Sequence, residues 1–348
     1  MLDFFGAKID AISLHYVGNK QRGEGVKISK GGLDLDSDQT KEDLLHYFLK
    51  PFGNAEHFRF THPSSIDLNE VYTYSKDIFK SASHFEENAV FIARHLYECS
   101  QHPKIQGGEL FVVLFSDIVL DGAGMKGIGI FKSEIKEKFI RTDIHDGSAI
   151  AGVFTGIDTK RIDRGCLILN TQSEDGYLVA HIDNLTKGND AQFWMYDFLT
   201  IEPVQNEYHQ TKQFLSFAQS FITQELPDKQ DVDKTEQIKM LTKSVEYFKA
   251  NESVNIDDFA QEVFEEPSVI EGFKQFKETF ENEREMVIAE SFHVNTNAVK
   301  KQAKIFKSVI KLDKNFHIYV HGNNQLIERG FDESKGMKFY KVFYEEEQ

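Results

Sequence analysis

From Gly108 to Asp183 the apolar residues gather in short β-branched and aromatic runs bounded by Gly, Asp or Asn: Leu110 to Phe115, Ile128 to Ile135, Gly165 to Asn170 and Tyr177 to Asp183. Runs of this length between turn formers read as strands. Their short, turn-like connections predict antiparallel pairing, in hairpins or a meander. This stretch is the expected central sheet. Ile9 to Val17 adds an early strand, and Val26 to Leu35 a second one, with a bulge at Gly31 and Gly32. Phe58 and Phe60 alternate in another.

Elsewhere the spacing turns helical. Ser37 or Asp38 can cap a helix with Leu44, Leu45, Phe48 and Leu49 on one face, ended by Pro51 and Gly53. Two helical patterns fill 69–101, closed by His102 and Pro103. A short helix is expected from Phe193 to Leu199, and a longer one through Phe214, Phe217, Phe221 and Ile222. Pro227 and the charged run after it suggest a boundary, which divides the chain into 1–225 and 226–348. Beyond it, 234–285 reads as helical, and 308–312, 316–320 and 337–344 as strands. The fold class is therefore α+β. A mainly antiparallel central sheet is covered by helices, and an acidic helical segment leads into a C-terminal basic β unit.

Charge sharpens the second half of this picture. The formal net charge is −16, which repels nucleic acid at long range, so any DNA contact needs a local basic patch. Residues 251–290 carry twelve acidic side chains against three basic ones, net −9. Residues 296–342 carry ten Lys or Arg against four acids, net +6. The two cysteines, Cys99 and Cys166, are too few for a disulfide framework or a four-cysteine metal site, which fits a reducing cytoplasm. Neither a signal pattern nor a bilayer-length apolar run is present, so a cytoplasmic protein without membrane contact is expected.

Candidate chemistry is sparse. Gly122 to Gly127 spells G-x-G-x-x-G, but Ile128 onward reads as a strand, so a hairpin turn is expected in place of a dinucleotide loop. Asp121, Glu134 and Lys136 match the D…E-x-K arrangement of Mg²⁺-dependent nucleases, although E-x-K is common in so charged a chain. Asp143, His145, Asp146, His181 and Asp183 lack the spacing of a metal motif. Neither a metal nor another cofactor is expected.

Phosphate contacts have better candidates. Lys300, Lys301, Lys304, Lys307, Lys311 and Lys314 form a basic cluster. A helix over 296–307 would align Lys300, Lys304 and Lys307, with Tyr319, Tyr340 and Tyr344 as stacking surface nearby. The same cluster could instead neutralise the acidic 251–290 segment. Lys160, Arg161 and Arg164, read as a turn between strands, are either further phosphate contacts or ordinary surface charge.

The chain also resembles the bacterial nucleoid-associated proteins often called NdpA-like. The likeness spans roughly 8–344 and rests on Gly108–Ile118, Ile128–Glu134 and Tyr177–Asp183 with the helix after it, then Ile310–Ile318, Ile327–Glu333 and Lys335–Lys341. It implies a non-enzymatic protein at the nucleoid that binds DNA, expected to be double-stranded, with other nucleoid proteins as further partners. The rivals are the nuclease using Asp121, Glu134 and Lys136, and an adaptor recruited to the nucleoid through protein contacts.

Overall fold

A computed structural model describes residues 2–146, 148–185, 193–230, 232–284, 286–303, 308–312, 316–320, 326–344 and 346. The chain divides into two units, 1–204 and 205–348. The division falls earlier than the boundary expected at 225. Helix α4 (Glu207–Ser220) sends Phe214, Leu215, Phe217 and Ala218 into the core of the second unit. Pro227 sits near the start of a helical turn and marks no break.

The first unit is built on a nine-stranded sheet. Its strands are β1 (Leu2–Asp3), β2 (Lys8–Val17), β3 (Val26–Ile28), β4 (His57–Phe60), β5 (Gly108–Leu120), β6 (Ala123–Ser133), β9 (Arg164–Leu169), β10 (Leu178–Asp183) and β11 (Ile201–Pro203). They run in the order β11-β4-β10-β9-β6-β5-β2-β3, with β1 on β5, and every pairing is antiparallel. The expected second strand stops at Ile28, because Gly31 turns the chain at a φ of +83°.

Both sheet faces are covered, which explains the near-continuous apolar run in β5. Side chains alternate across a strand. Leu110, Val112 and Leu114 therefore meet α2 (Glu70–Lys80) and α3 (Phe85–Cys99) on one face. On the other, Phe111, Val113 and Phe115 meet α1 (Asp38–Leu49) through Phe48. Asn69 caps α2 and also donates to the carbonyls of Thr61, Leu199 and Thr200, tying three segments together. The G-x-G-x-x-G run is a hairpin turn, as its sequence setting implies: Asp121 (φ +49°) and Gly122 (φ +85°) are both left-handed, and β6 follows at once.

Between β6 and β9 lies an excursion that the sequence reading does not contain. β7 (Glu137–His145) and β8 (Ser148–Gly156) pair with each other and, among the described residues, with no other strand.

In the second unit α4 continues through a π-helical turn into α5 (Leu226–Lys229). There follow α6 (Lys234–Ala250), opened by an Asp233–Glu236 capping box, α7 (Ile256–Val263), α8 (Pro267–Arg284) and α9 (Thr296–Gln302). β12 (Ser253–Asn255) pairs with β13 (Ser291–His293). Phenylalanine fills this core: Phe214 meets Phe259 edge-on at 4.9 Å, and Phe217 lies 4.5 Å from Phe273. Two hairpins, β14 (Ser308–Leu312) with β15 (Phe316–Val320) and β16 (Ile327–Asp332) with β17 (Met337–Val342), complete the unit. Ile310, Ile318, Ile327 and Tyr340 from these hairpins pack with Ile238 of α6.

Candidate nucleic-acid interface

Among the described residues, four acidic side chains of the 251–290 segment pair with nearby lysines. Glu265 pairs with Lys243 at 2.6 Å and Lys239 at 3.4 Å, and these bonds hold its carboxyl below the usual carboxylate range. Asp257 pairs with Lys274 at 2.5 Å. Lys277 bridges Glu281 at 3.1 Å and Glu290 at 2.8 Å. The lysines in these pairs belong to α6 and α8, not to the basic segment.

The basic segment presents its charge outward. Lys300 and Lys301 are exposed in the last turn of α9, where cations also suit the helix dipole. The expected helix ends there; Lys304, Lys307 and Lys314 lie outside the described residues. Lys311 sits on β14 opposite His317. Lys335, Lys338 and Lys341 are exposed on the β16–β17 hairpin, while Arg329 reaches Asp233 at the start of α6 at 3.5 Å.

Aromatic side chains stand among these cations. Phe331 is opposite Lys338, and the Lys341 ammonium lies 4.8 Å from the Phe343 ring. The Phe339 ring covers Gly330, its cross-strand partner, and no larger residue could lie beneath it. Phe316, Phe331, Phe339, Phe343 and Tyr344 are all exposed. Of the three expected stacking tyrosines, Tyr319 and Tyr344 are exposed, but Tyr340 is packed against Ile238 and Ile327. The phenylalanines were the missed signal. Period two along Met337 to Val342 places Phe339 and Tyr340 on opposite faces, so only one of them can be buried.

Lys160 and Arg161 occupy the exposed connection between β8 and β9, with Arg161 3.5 Å from Asp163. Arg164 does not belong with them. It opens β9 and is 3% exposed, with Nε 2.9 Å from Glu134 Oε1 and a terminal nitrogen 2.5 Å from Asp183 Oδ2. Its guanidinium also lies 4.8 Å from the Phe193 ring. A cation committed to two buried carboxylates is not offered to phosphate.

The same network disperses the nuclease constellation. Glu134 accepts from Arg164, from Lys132 at 3.3 Å and from the Gln106 N–H at 3.0 Å. Burial pushes the Lys132 amine below the usual lysine range, against the pull of Glu134. Lys136 turns away to Glu109. Asp121 lies at the far end of β6, whose 11 residues at about 3.4 Å each put it roughly 35–40 Å from Glu134. One metal ion cannot bridge that distance. Among the described residues no group of three or more His, Cys, Asp or Glu could hold a metal. Asp183 serves Arg164, and His181 stands beside Phe58 and opposite Cys166 on β10.

Cys99 lies 3.8 Å from His95 Nε2, the arrangement of an activated thiol, but it donates to the Asp197 carbonyl at 3.4 Å, and burial pushes it up to about 12. A thiol raised this far stays protonated at pH 8. Its alkylation in the native protein should therefore run on the order of a thousandfold slower than that of free cysteine. Kinetics of iodoacetamide labelling read by mass spectrometry check this; labelling of Cys99 at the free rate would show an accessible, activated thiol.

The class these features define is a two-unit α+β protein whose second unit sets an acidic helical segment against a basic, aromatic-studded β segment. Residues 13–347 match the family model described as nucleoid-associated protein YejK, and the chain belongs to that family. No match to a curated protein was found.

Proposed function

We propose that this nucleoid-associated protein binds double-stranded DNA directly, along the phosphate backbone, through the basic segment of its second unit, and that it does no chemistry on the DNA. The observation that carries this reading is the use of charge within the unit. The ion pairs of the acidic helices run to Lys239, Lys243, Lys274 and Lys277, so neutralising that segment does not account for the cations at Lys300, Lys338 and Lys341. Membership of a nucleoid-associated family supports the same partner. Among the described residues no helix is long and apolar enough to cross a membrane.

Lysine is a point charge without bidentate base reading, so binding should tolerate sequence. The net charge of −16 weakens long-range attraction, so affinity at physiological salt should be modest. Fluorescence anisotropy on two duplexes of unrelated sequence tests the proposal with purified protein. Similar affinities are expected on both. No binding at low salt would leave the adaptor reading in its place. Supercoiled plasmid incubated with the protein and Mg²⁺ should remain un-nicked; nicking abolished by Glu134→Ala would restore the nuclease.

A further inference from the structure

The β16–β17 hairpin is held by one face and offers the other. Residues directly opposite in an antiparallel pair share a face. The inner face carries Ile327 and Tyr340, which pack with Ile238 of α6, and Arg329, which reaches Asp233. The outer face carries three pairs: Glu328 with Lys341, Gly330 with Phe339, and Asp332 with Met337. The Phe343 N–H donates to the Leu326 carbonyl and so continues the ladder. Two residues after Lys341, Phe343 falls on the same outer face, its ring 4.8 Å from the Lys341 ammonium.

On this outer face the Phe339 ring is laid flat. A Cβ placed on Gly330 would stand 2.3 Å from the ring's Cζ and 2.7 and 3.0 Å from its two Cε atoms. An edge-on approach through Cζ would leave both Cε atoms much farther away than Cζ. The small difference puts Gly330 beneath the face of the ring. One π face therefore covers backbone, and the other looks outward, leaving Phe339 43% exposed. Glycine permits this close approach, because any side chain at position 330 would lift the ring.

A flat, outward ring beside a lysine is suited to stacking on a nucleobase. Charge distinguishes the kind of nucleic acid. Lys341 faces Glu328 across the strands, and Asp332 turns its carboxylate to the N–H groups of Ser334 and Lys335 at 2.9 and 3.1 Å. Lys338 stands on the inner face, opposite Phe331. A nearly neutral aromatic face has little to offer phosphates and much to offer bases. Bases within a duplex already stack on their neighbours and must leave the stack to meet a protein ring. We propose that the outer face of β16–β17 is a stacking platform for the unpaired bases of single-stranded DNA, with Phe339 at its centre and Lys341 beside it for the adjoining phosphate. The proposal goes beyond duplex binding and shares with that reading only the choice of the basic segment as the nucleic-acid face.

Anisotropy on the full chain tests it with two single strands of equal length. One is oligothymidine; the other is abasic, which keeps the phosphates and removes the bases. Wild type should prefer the thymidine strand on the order of tenfold. Phe339→Leu keeps an apolar cover on Gly330 without a π face, and should abolish that preference. Phe339→Trp should keep or increase it, which answers for any disturbance of the hairpin by leucine. Phe331 is the more exposed ring, at 58%, but lies on the inner face, so Phe331→Ala should leave the preference unchanged. Equal binding of both strands by wild type, a preference that survives Phe339→Leu, or one lost in Phe339→Trp or Phe331→Ala would each overturn the platform. A duplex titrated alongside separates the two readings. Wild type that binds duplex yet does not distinguish the two strands overturns the platform alone; wild type that prefers thymidine yet ignores duplex overturns duplex binding alone.

Discussion

Replacing Arg164 by alanine is expected to destabilise the first unit by about 3–5 kcal/mol, the cost of breaking a buried ion pair by removing one partner. The side chains of Arg164, Glu134 and Asp183 are 3%, 2% and 9% exposed. Without the guanidinium, two carboxylates lose their shared counter-charge in a place water does not reach. Glu134 retains Lys132 and the Gln106 N–H, and Asp183 retains the Leu185 N–H, which argues for the lower end of the range. For a unit of this size the loss lowers Tm by roughly 10 °C. Arg164→Lys should recover only part of it, since an ammonium cannot present the planar fork that spans both carboxylates. Differential scanning calorimetry measures the shift. A change under about 2 °C would mean that the network is solvated and worth no more than a surface pair.

The second large effect concerns DNA. Alanine at Lys300, Lys301, Lys338 and Lys341 together should weaken duplex binding at about 50 mM salt on the order of a hundredfold or more, because each lost phosphate contact forfeits its released counterion. The fold should survive, as all four lysines are exposed and such positions contribute little to stability. Anisotropy titrations of wild type and variant on one duplex give the ratio. Equal affinities would move the patch elsewhere, with Lys160 and Arg161 the next residues to replace.

Much of the fold was legible because β5, β6, β9 and β10 are uniformly β-branched and aromatic, and Asp121-Gly122 is a strong hairpin turn. The same signal recurs at Asp146, which a glycine follows in the sequence between β-branched runs, and it could have disclosed β7–β8. The role of Arg164 could not be read in this way. Four charges within five residues, 160–164, look like a surface turn, and only the pairing of β9 with β6 and β10 brings Glu134 and Asp183 to the guanidinium. The domain boundary was misplaced for a related reason. A helix-breaking proline is tolerated at the start of a helical turn, so Pro227 carried no boundary information. In the basic segment, net charge identified the region, while strand register decided which aromatic side chains face water.

Direct electrostatic engagement of duplex DNA by the second unit is tested most directly by the salt dependence of wild-type binding. Contact with about four to six phosphates predicts a log–log slope of roughly −4 to −5 between dissociation-sensitive salt concentrations, equal for unrelated sequences. A slope near zero, or binding that appears only when another protein is present, would contradict it.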